Sequence, residues 1–349
     1  MTKNILKIII SLVVSLIAGY LAFRNVHLQD VIAGIRQADF ISVAIVLLLI
    51  TGAQLVRSSR WGLLLEPLES LSQRLLLPIT SIGFLFVWIL PARLGEIARP
   101  YLLQQNSKVG LSPAMGSVVL ERLIDSTFLV VLLAICLPVL RLPGVILSAF
   151  KGFVLILLAA VLLMLLGSLP AFRERLFQVL SKVLPVSWLE FLTRMADTFY
   201  SGMQAVMSLK RLLSILALTS VIWGAALGAF LVLFQSMDLR LGLLAGTTVL
   251  VLTCLGIALP AAPGFIGNYH YACIVAMGLF GVAKDTALAY AILMHFLTML
   301  ALVAMGLFFI NVSKLKVSFS LRSAIDSGQQ AALRPAQGLG AGSRRNDKE

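Results

Sequence analysis

"LPARLGEIARP" (residues 90–100) runs straight on from "SIGFLFVWIL" (81–90), and this junction decides how the chain folds. An ionisable side chain at the centre of a bilayer costs at least about 2.5–3.5 kcal/mol. A chain with only 12% charged residues nevertheless places Arg93, Glu96 and Arg99 here, behind Pro91 and around Gly95. Proline and glycine release backbone groups that lipid cannot satisfy, so a break at membrane depth has to lie against protein or a wet cavity. The apolar run that precedes Pro91, residues 79–90, is about 12 residues long. A crossing helix needs about 20. Length, break and charge together predict a re-entrant segment whose charges turn inward.

The rest of the chain supplies the membrane frame. Of 349 residues 60% are hydrophobic, with a mean hydropathy of +1.00, which leaves too little polar surface to cover a soluble domain. The fold class expected is all-α, a polytopic helical membrane protein. Runs 5–23, 40–56, 116–140, 144–166, 212–234, 241–259 and 286–310 are long enough to span. Run 265–280 is short and follows Pro260, Pro263 and Gly264, so it reads as a second broken or re-entrant segment. Counting it as a crossing, and 79–90 as re-entrant, gives about eight crossings in a membrane domain covering 1–317. No small-residue cleavage site follows the first run, so it is expected to stay as an uncleaved helix.

The net charge of +13 is gathered at the ends of apolar runs, which excludes nucleic acid as its explanation and fits membrane topology. Lys3 and Lys7, then Arg57, Arg60 and Arg74, then the basic 171–211 segment, then Lys314, Lys316 and Arg322 fall on one side. Both termini are therefore expected in the cytoplasm, in the plasma (inner) membrane. Within 171–210, Leu192, Met195, Phe199, Met203 and Val206 recur at helical spacing. That segment reads as a cytoplasmic amphipathic helix, lying on the membrane or packed on the bundle. Residues 318–349 are expected to be a disordered polar tail. His27, His270 and His295 show no metal-ligand spacing, and no cofactor motif occurs.

Two short stretches echo each other. "LPARLGEI" (90–97) and "LPAAPGFI" (259–266) align without a gap, each late in its half of the membrane region. Paired interrupted segments in two halves point to an inverted repeat with a site between them. A second charged cluster opens a spanning run at "SVVLERLIDSTFLVVLL" (117–133), where Glu121 and Asp125 share a helix face with Arg122 beside them. Arg93, Glu96, Arg99, Glu121, Arg122 and Asp125 comprise three cations and three carboxylates. They can neutralise one another as a structural network, or part of the network can meet a polar headgroup, to which arginine's planar fork is suited.

In that order, "RLGEIARPYLL", "SVVLERLIDSTFLV" and "PAAPGFIGNYHYA" resemble the transmembrane, flippase-like region of the lysylphosphatidylglycerol synthase family. Its patterns read approximately R-x-G-E-x-x-R, E-R-x-x-D and P-G-x-x-G-x-x-E. The first two match at Arg93, Gly95, Glu96, Arg99, Glu121, Arg122 and Asp125. The third matches at Pro263, Gly264 and Gly267, with His270 where the family usually has Glu. His270 reads either as a structural histidine partnered by its neighbours or as a titrating group. The resemblance implies lipid translocation or handling, of a phospholipid, a hopanoid-related or a polyprenyl-linked lipid. Membrane lipids are the partners it implies, with enzymes of lipid or envelope biosynthesis beside them. Lysyl transfer is not expected, because the soluble transferase domain of the synthesising members has no place in these 349 residues. Two alternatives stay open: an integral membrane transferase acting on a lipid-linked substrate, although no DxD, P-loop or GxSxG motif occurs, and a small-solute transporter.

Overall fold

Apolar chain in lipid satisfies its backbone within helices, and the fold follows from where each helix can start and stop. The structure, a computed structural model, describes residues 2–90, 95–167, 178, 208–259 and 262–316; among these there is no strand. The helices are α1 (Thr2–Phe23), α2 (Leu28–Gln37), α3 (Phe40–Leu65), α4 (Gln73–Ile89), α5 (Gly95–Asn106), α6 (Leu111–Cys136) and α7 (Gly144–Gly167). They continue with α8 (Leu209–Ser236), α9 (Leu243–Ala258), α10 (Asn268–Gly278) and α11 (Lys284–Val312), with a 3₁₀ turn at Pro263–Phe265. The expected all-α, polytopic membrane architecture is what forms. On α7, Leu155, Ile156, Leu158, Leu162 and Leu163 are each more than half exposed. A surface of that kind faces lipid, not water.

Six helices (α1, α3, α6, α7, α8 and α11) have 22 to 29 residues. The other membrane helices come in two pairs. α4 and α5 have 17 and 12 residues, α9 and α10 have 16 and 11. At 1.5 Å per residue even the longest of these is only about 25 Å long. Each pair is a hairpin. Gly83 lies on Arg99 and Gly95 lies on Phe86 and Val87, which makes α4 and α5 antiparallel. Gly256 lies on Ala272 across the second pair. The 79–90 run is thus the core of the first re-entrant limb. Run 265–280 becomes the return limb of a second hairpin, paired with 241–259, and four helices among the described residues, α3, α7, α8 and α11, are long and apolar enough to cross a membrane.

Two boundaries differ from the sequence reading. α3 runs on to Leu65, nine residues beyond the apolar run, because "RSSRWGLLL" contains no breaker until Pro67. α4 begins at Gln73 and passes through Pro78, which is only its sixth residue, so a single intrahelical bond is lost.

The inverted repeat is visible in the helices themselves. α3 to α6 have 26, 17, 12 and 26 residues, and α8 to α11 have 28, 16, 11 and 29. Equivalent helices start at 40 and 209, 73 and 243, 95 and 268, 111 and 284, always 169 to 173 residues apart. α3 packs along α8, α4 along α11, and α6 along α9, the last two being the same contact with the halves exchanged. Asp39 meets Ser236, Leu49 meets Gly228, and Arg60 meets Thr219, so α3 and α8 run in opposite directions. The hairpins therefore enter from opposite ends, and their tips meet where the Trp88 ring packs edge-on against Phe265 at 5.5 Å. Two apolar clusters form, one around Trp61, Leu64, Leu76, Ile79 and Leu102, the other around Phe234, Val249, Cys273, Met277 and Tyr290, the second also taking in Val46, Leu129 and Leu133 of α3 and α6. Segment 171–207 apart from residue 178, and the tail 318–349, lie outside the described residues.

Candidate functional site

Glu121 on α6 is fully buried, and three arginines converge on it. Arg99 of α5 donates through both nitrogens of its fork, at 3.2 and 2.8 Å. Arg122 donates at 2.5 Å, and Arg60 of α3 lies at 3.4 Å. One turn on, Asp125 receives the Arg60 fork at 2.6 and 3.0 Å and the Trp223 indole N–H at 3.1 Å, with Arg122 at 3.5 Å. Arg60 also donates to Thr219 at 2.9 Å. Helices α3, α5 and α6 are tied together here by direct ion pairs, and α8 joins them through the hydrogen bonds of Thr219 and Trp223. A low-dielectric surround strengthens each bond and makes any unpaired member expensive.

The backbone leaves room for these side chains. Gly83 faces the Arg99 stem: a Cβ there would lie 2.1 Å from its Cγ. At Gly95 a Cβ would lie 2.1 Å from the Val87 nitrogen, so only glycine lets α5 leave the hairpin this close to α4. The Arg99 guanidinium stacks 4.3 Å above the Trp61 ring, whose indole donates to Ser117 at 2.9 Å. Stacking and fork together fix the plane of the guanidinium.

Beside the network is a cavity of about 250 Å³ between the two hairpins. Arg57, Glu96, Arg99 and Arg122 line one end. Apolar side chains, among them Ile50, Val87, Trp88, Phe230, Ile257 and Met294, line most of the rest, with Thr253, Tyr269 and Thr298 as polar exceptions.

The second hairpin tip is built on positive backbone angles. Gly264, Phe265 and Gly267 have φ of 68°, 57° and 90°. A Cβ at Gly267 would meet the Ser15 carbonyl at 2.3 Å. Ser15 on α1 holds the tip, accepting the Ala262 amide at 2.6 Å and donating to Asn268 at 3.2 Å. His295 Nε2 donates to the Gly264 carbonyl at 2.7 Å. The ring of His270 stands edge-on to His295 at 4.9 Å, and its Nδ1 has no partner among the described residues.

The structure thus brings Arg99, Glu121, Arg122 and Asp125 into one network and sets Glu96 on the wall of the same cavity. His270 is placed apart, buried beside His295 and Phe23. Gly95, Pro263, Gly264 and Gly267 form the two tips; Pro91, Arg93 and Pro260 lie outside the described residues. Sequence reasoning missed Arg57, Arg60, Trp61 and Trp223. Arg57 and Arg60 had been read as loop cations, yet "WGLLL" resumes the apolar pattern directly after them, the signal that the helix had not ended. Among the described residues no cluster of His, Cys, Asp and Glu could hold a metal ion.

The sequence pattern of the family described as "Lysylphosphatidylglycerol synthase TM region" matches residues 8–306. A UPF0104 membrane protein of Methanocaldococcus jannaschii is 28% identical over 222 residues, which are 62% of this chain and 89% of that protein. No solved structure matches.

Proposed function

This chain belongs to the family of the lysylphosphatidylglycerol synthase transmembrane region, and from its cavity we propose that it translocates, or otherwise handles, a membrane lipid. One observation carries the reading. The intramembrane cavity has arginines at one end and an apolar wall along most of the remainder. An amphiphile has that same division: a polar headgroup to set against the arginines, and a chain to leave against the wall and the lipid beyond it. The two hairpins, entering from opposite ends and touching at Trp88 and Phe265, are the elements whose relative movement would pass a headgroup from one face to the other. This is the form of alternating access that inverted repeats permit.

The alternatives fit less well. A transferase draws on a side chain able to take or give a proton, and the buried carboxylates of the network are poorly suited to that. Glu121 and Asp125 are each held by more than one arginine. A hydrophilic solute would leave the apolar wall unsatisfied. On the lipid reading the partners are membrane lipids and the enzymes that make or use them. The site of action is the plasma membrane, with both termini on the cytoplasmic face. Liposomes containing the purified chain and a fluorescent phosphatidylglycerol test the proposal. Faster loss of fluorescence to an impermeant quencher than in protein-free liposomes is expected, and Arg99→Lys should slow it. Equal rates with and without protein, across phospholipid and polyprenyl phosphate probes, would end the lipid reading.

A further inference from the structure

Among the described residues, one cation of the cavity has no carboxylate within 4 Å. Arg60, Arg99 and Arg122 each lie within 4 Å of a carboxylate of Glu121 or Asp125. Glu96 stands on the same cavity wall as Arg122. Arg57 is the one arginine of this group with no ion pair among the described residues. It sits one turn before Arg60 on α3, half-buried, and lines the cavity. Its only hydrogen bond among the described residues runs from Nη1 to the side-chain oxygen of Gln54, at 2.9 Å. Its guanidinium lies 4.8 Å above the Phe84 ring, and its Nε is buried with no partner.

Gln54 is fully buried and uses its oxygen to hold Arg57, while its own amide nitrogen finds no acceptor. Phe84 covers one face of the guanidinium. Orientation is therefore settled by neutral groups, and no carboxylate among the described residues bonds the guanidinium. An unpaired guanidinium in the membrane interior is costly, and an oxyanion is the group that removes that cost, since the fork takes two of its oxygens at once. Repeat symmetry sharpens the point: the equivalent position on α8 is Ala226, which lines the same cavity. The helix pair packs without an arginine there.

We propose that Arg57 is the anion seat of this cavity. It takes the single negative charge of a phosphodiester, with Gln54 and Phe84 as positioning residues, while Arg60, Arg99 and Arg122 are held by carboxylates. The assignment rests on the lipid reading for its source of phosphate, although a free phosphate has the same chemistry.

The test is calorimetric titration of the full chain in a neutral detergent with dihexanoyl-phosphatidylglycerol, dihexanoylglycerol and inorganic phosphate. Wild type, Arg57→Gln and Arg57→Lys are compared, with helical content checked by circular dichroism. Affinity for the phosphatidylglycerol should fall at least tenfold in Arg57→Gln and about threefold in Arg57→Lys, with dihexanoylglycerol unaffected. Should the glutamine variant lose its helices, Arg57→Lys carries the reading. Wild-type affinity in whichever variant is folded, or no binding by the wild type, overturns the assignment. Lipid scrambling by the same proteins separates the two claims. Scrambling with binding indifferent to Arg57 leaves lipid handling standing and removes the seat. Arg57-dependent binding of inorganic phosphate as tight as that of the lipid, without scrambling, keeps the seat and removes the lipid.

Discussion

The two halves of this protein share a backbone plan and almost none of its chemistry. Cavity-lining positions correspond across the repeat: Ala53 with Ile222, Arg57 with Ala226, Phe84 with Cys254, Val87 with Ile257, Glu96 with Tyr269. Where the first half has Glu121, Arg122 and Asp125, the second has Met294, His295 and Thr298; where the first has Arg60 and Arg99, the second has Ala229 and Ala272. The second half is thus a control within the molecule. It builds the same long–short–short–long unit, with a hairpin bent at mid-membrane, from methionine, alanine, threonine and histidine. Buried charge is not what this fold requires. Replacing a buried ion network by apolar residues is commonly neutral or stabilising, so the network in the first half points to what the cavity receives.

The largest effect should come from unbalancing that network. Glu121→Ala strands Arg60, Arg99 and Arg122 and is expected to cost about 3–5 kcal/mol, or to prevent folding. Its repeat counterpart, Met294→Leu, keeps volume and polarity and should cost less than about 1.5 kcal/mol. Thermal unfolding in detergent measures both. Equal losses would mean that the halves do not differ in the way described.

Arg99→Lys is milder. It keeps the charge, gives up one of two bonds to Glu121 and weakens the stack on Trp61. A loss of about 1.5–3 kcal/mol is expected, with a folded product and slower lipid movement. If Arg99→Lys and Arg122→Lys both fold and move labelled lipid like wild type, the arginines serve only to hold α5 and α6 together.

The hairpin tips should be equally intolerant in both halves, because close approach is common to them. Gly95→Ala and Gly267→Ala each drive a Cβ into backbone atoms, at 2.1 and 2.3 Å, and Gly267 adds a φ of 90°. About 1–3 kcal/mol is expected for each, read as a lower unfolding temperature. Gly278, at the end of α10, has open space where its Cβ would be, so Gly278→Ala is the silent control. A silent Gly95→Ala would put the first tip's close contact in error.

Much of this was legible in the chain itself. Charges in apolar surroundings stand out, so Glu96, Arg99, Glu121, Arg122 and Asp125 were found, and the echo of "LPARLGEI" in "LPAAPGFI" located both tips. Three things were not legible, each for a physical reason. Arg57 and Arg60 end an apolar run, where arginine ordinarily marks a loop; the burial of Arg60 depends on α6 and α8 supplying partners from 65 and 159 residues away. That α9 and α10 form a hairpin is a tertiary fact, since apolar content alone does not tell a limb that turns back from one that crosses. His270 was grouped with the carboxylates because the family pattern places an acid there, while its packing against His295 and Phe23 depends on α1 and α11, far off in sequence.

The smallest predicted effect tests an asymmetry that lies outside the repeat. α1 belongs to neither four-helix unit, yet Ser15 holds the second tip at two points, the Ala262 amide and the Asn268 side chain. Ser15→Ala removes both bonds and leaves a backbone N–H without its partner. The expected cost is about 1 kcal/mol, hardly visible in a melting curve. Local opening is the better measure, because exchange of an amide proton reports the free energy of exposing that one site. Exchange at residues 262–268 should quicken by roughly fivefold, the rate equivalent of about 1 kcal/mol, while residues 84–89 in the first hairpin stay unchanged. If both hairpins loosen together, the tips move as one body through the Trp88–Phe265 contact, and a cavity opened by one hairpin at a time is ruled out. If only the second loosens, the halves differ in mobility as well as in charge: the charged hairpin is held by its own ion pairs, and the neutral one by a serine on a helix the repeat does not include.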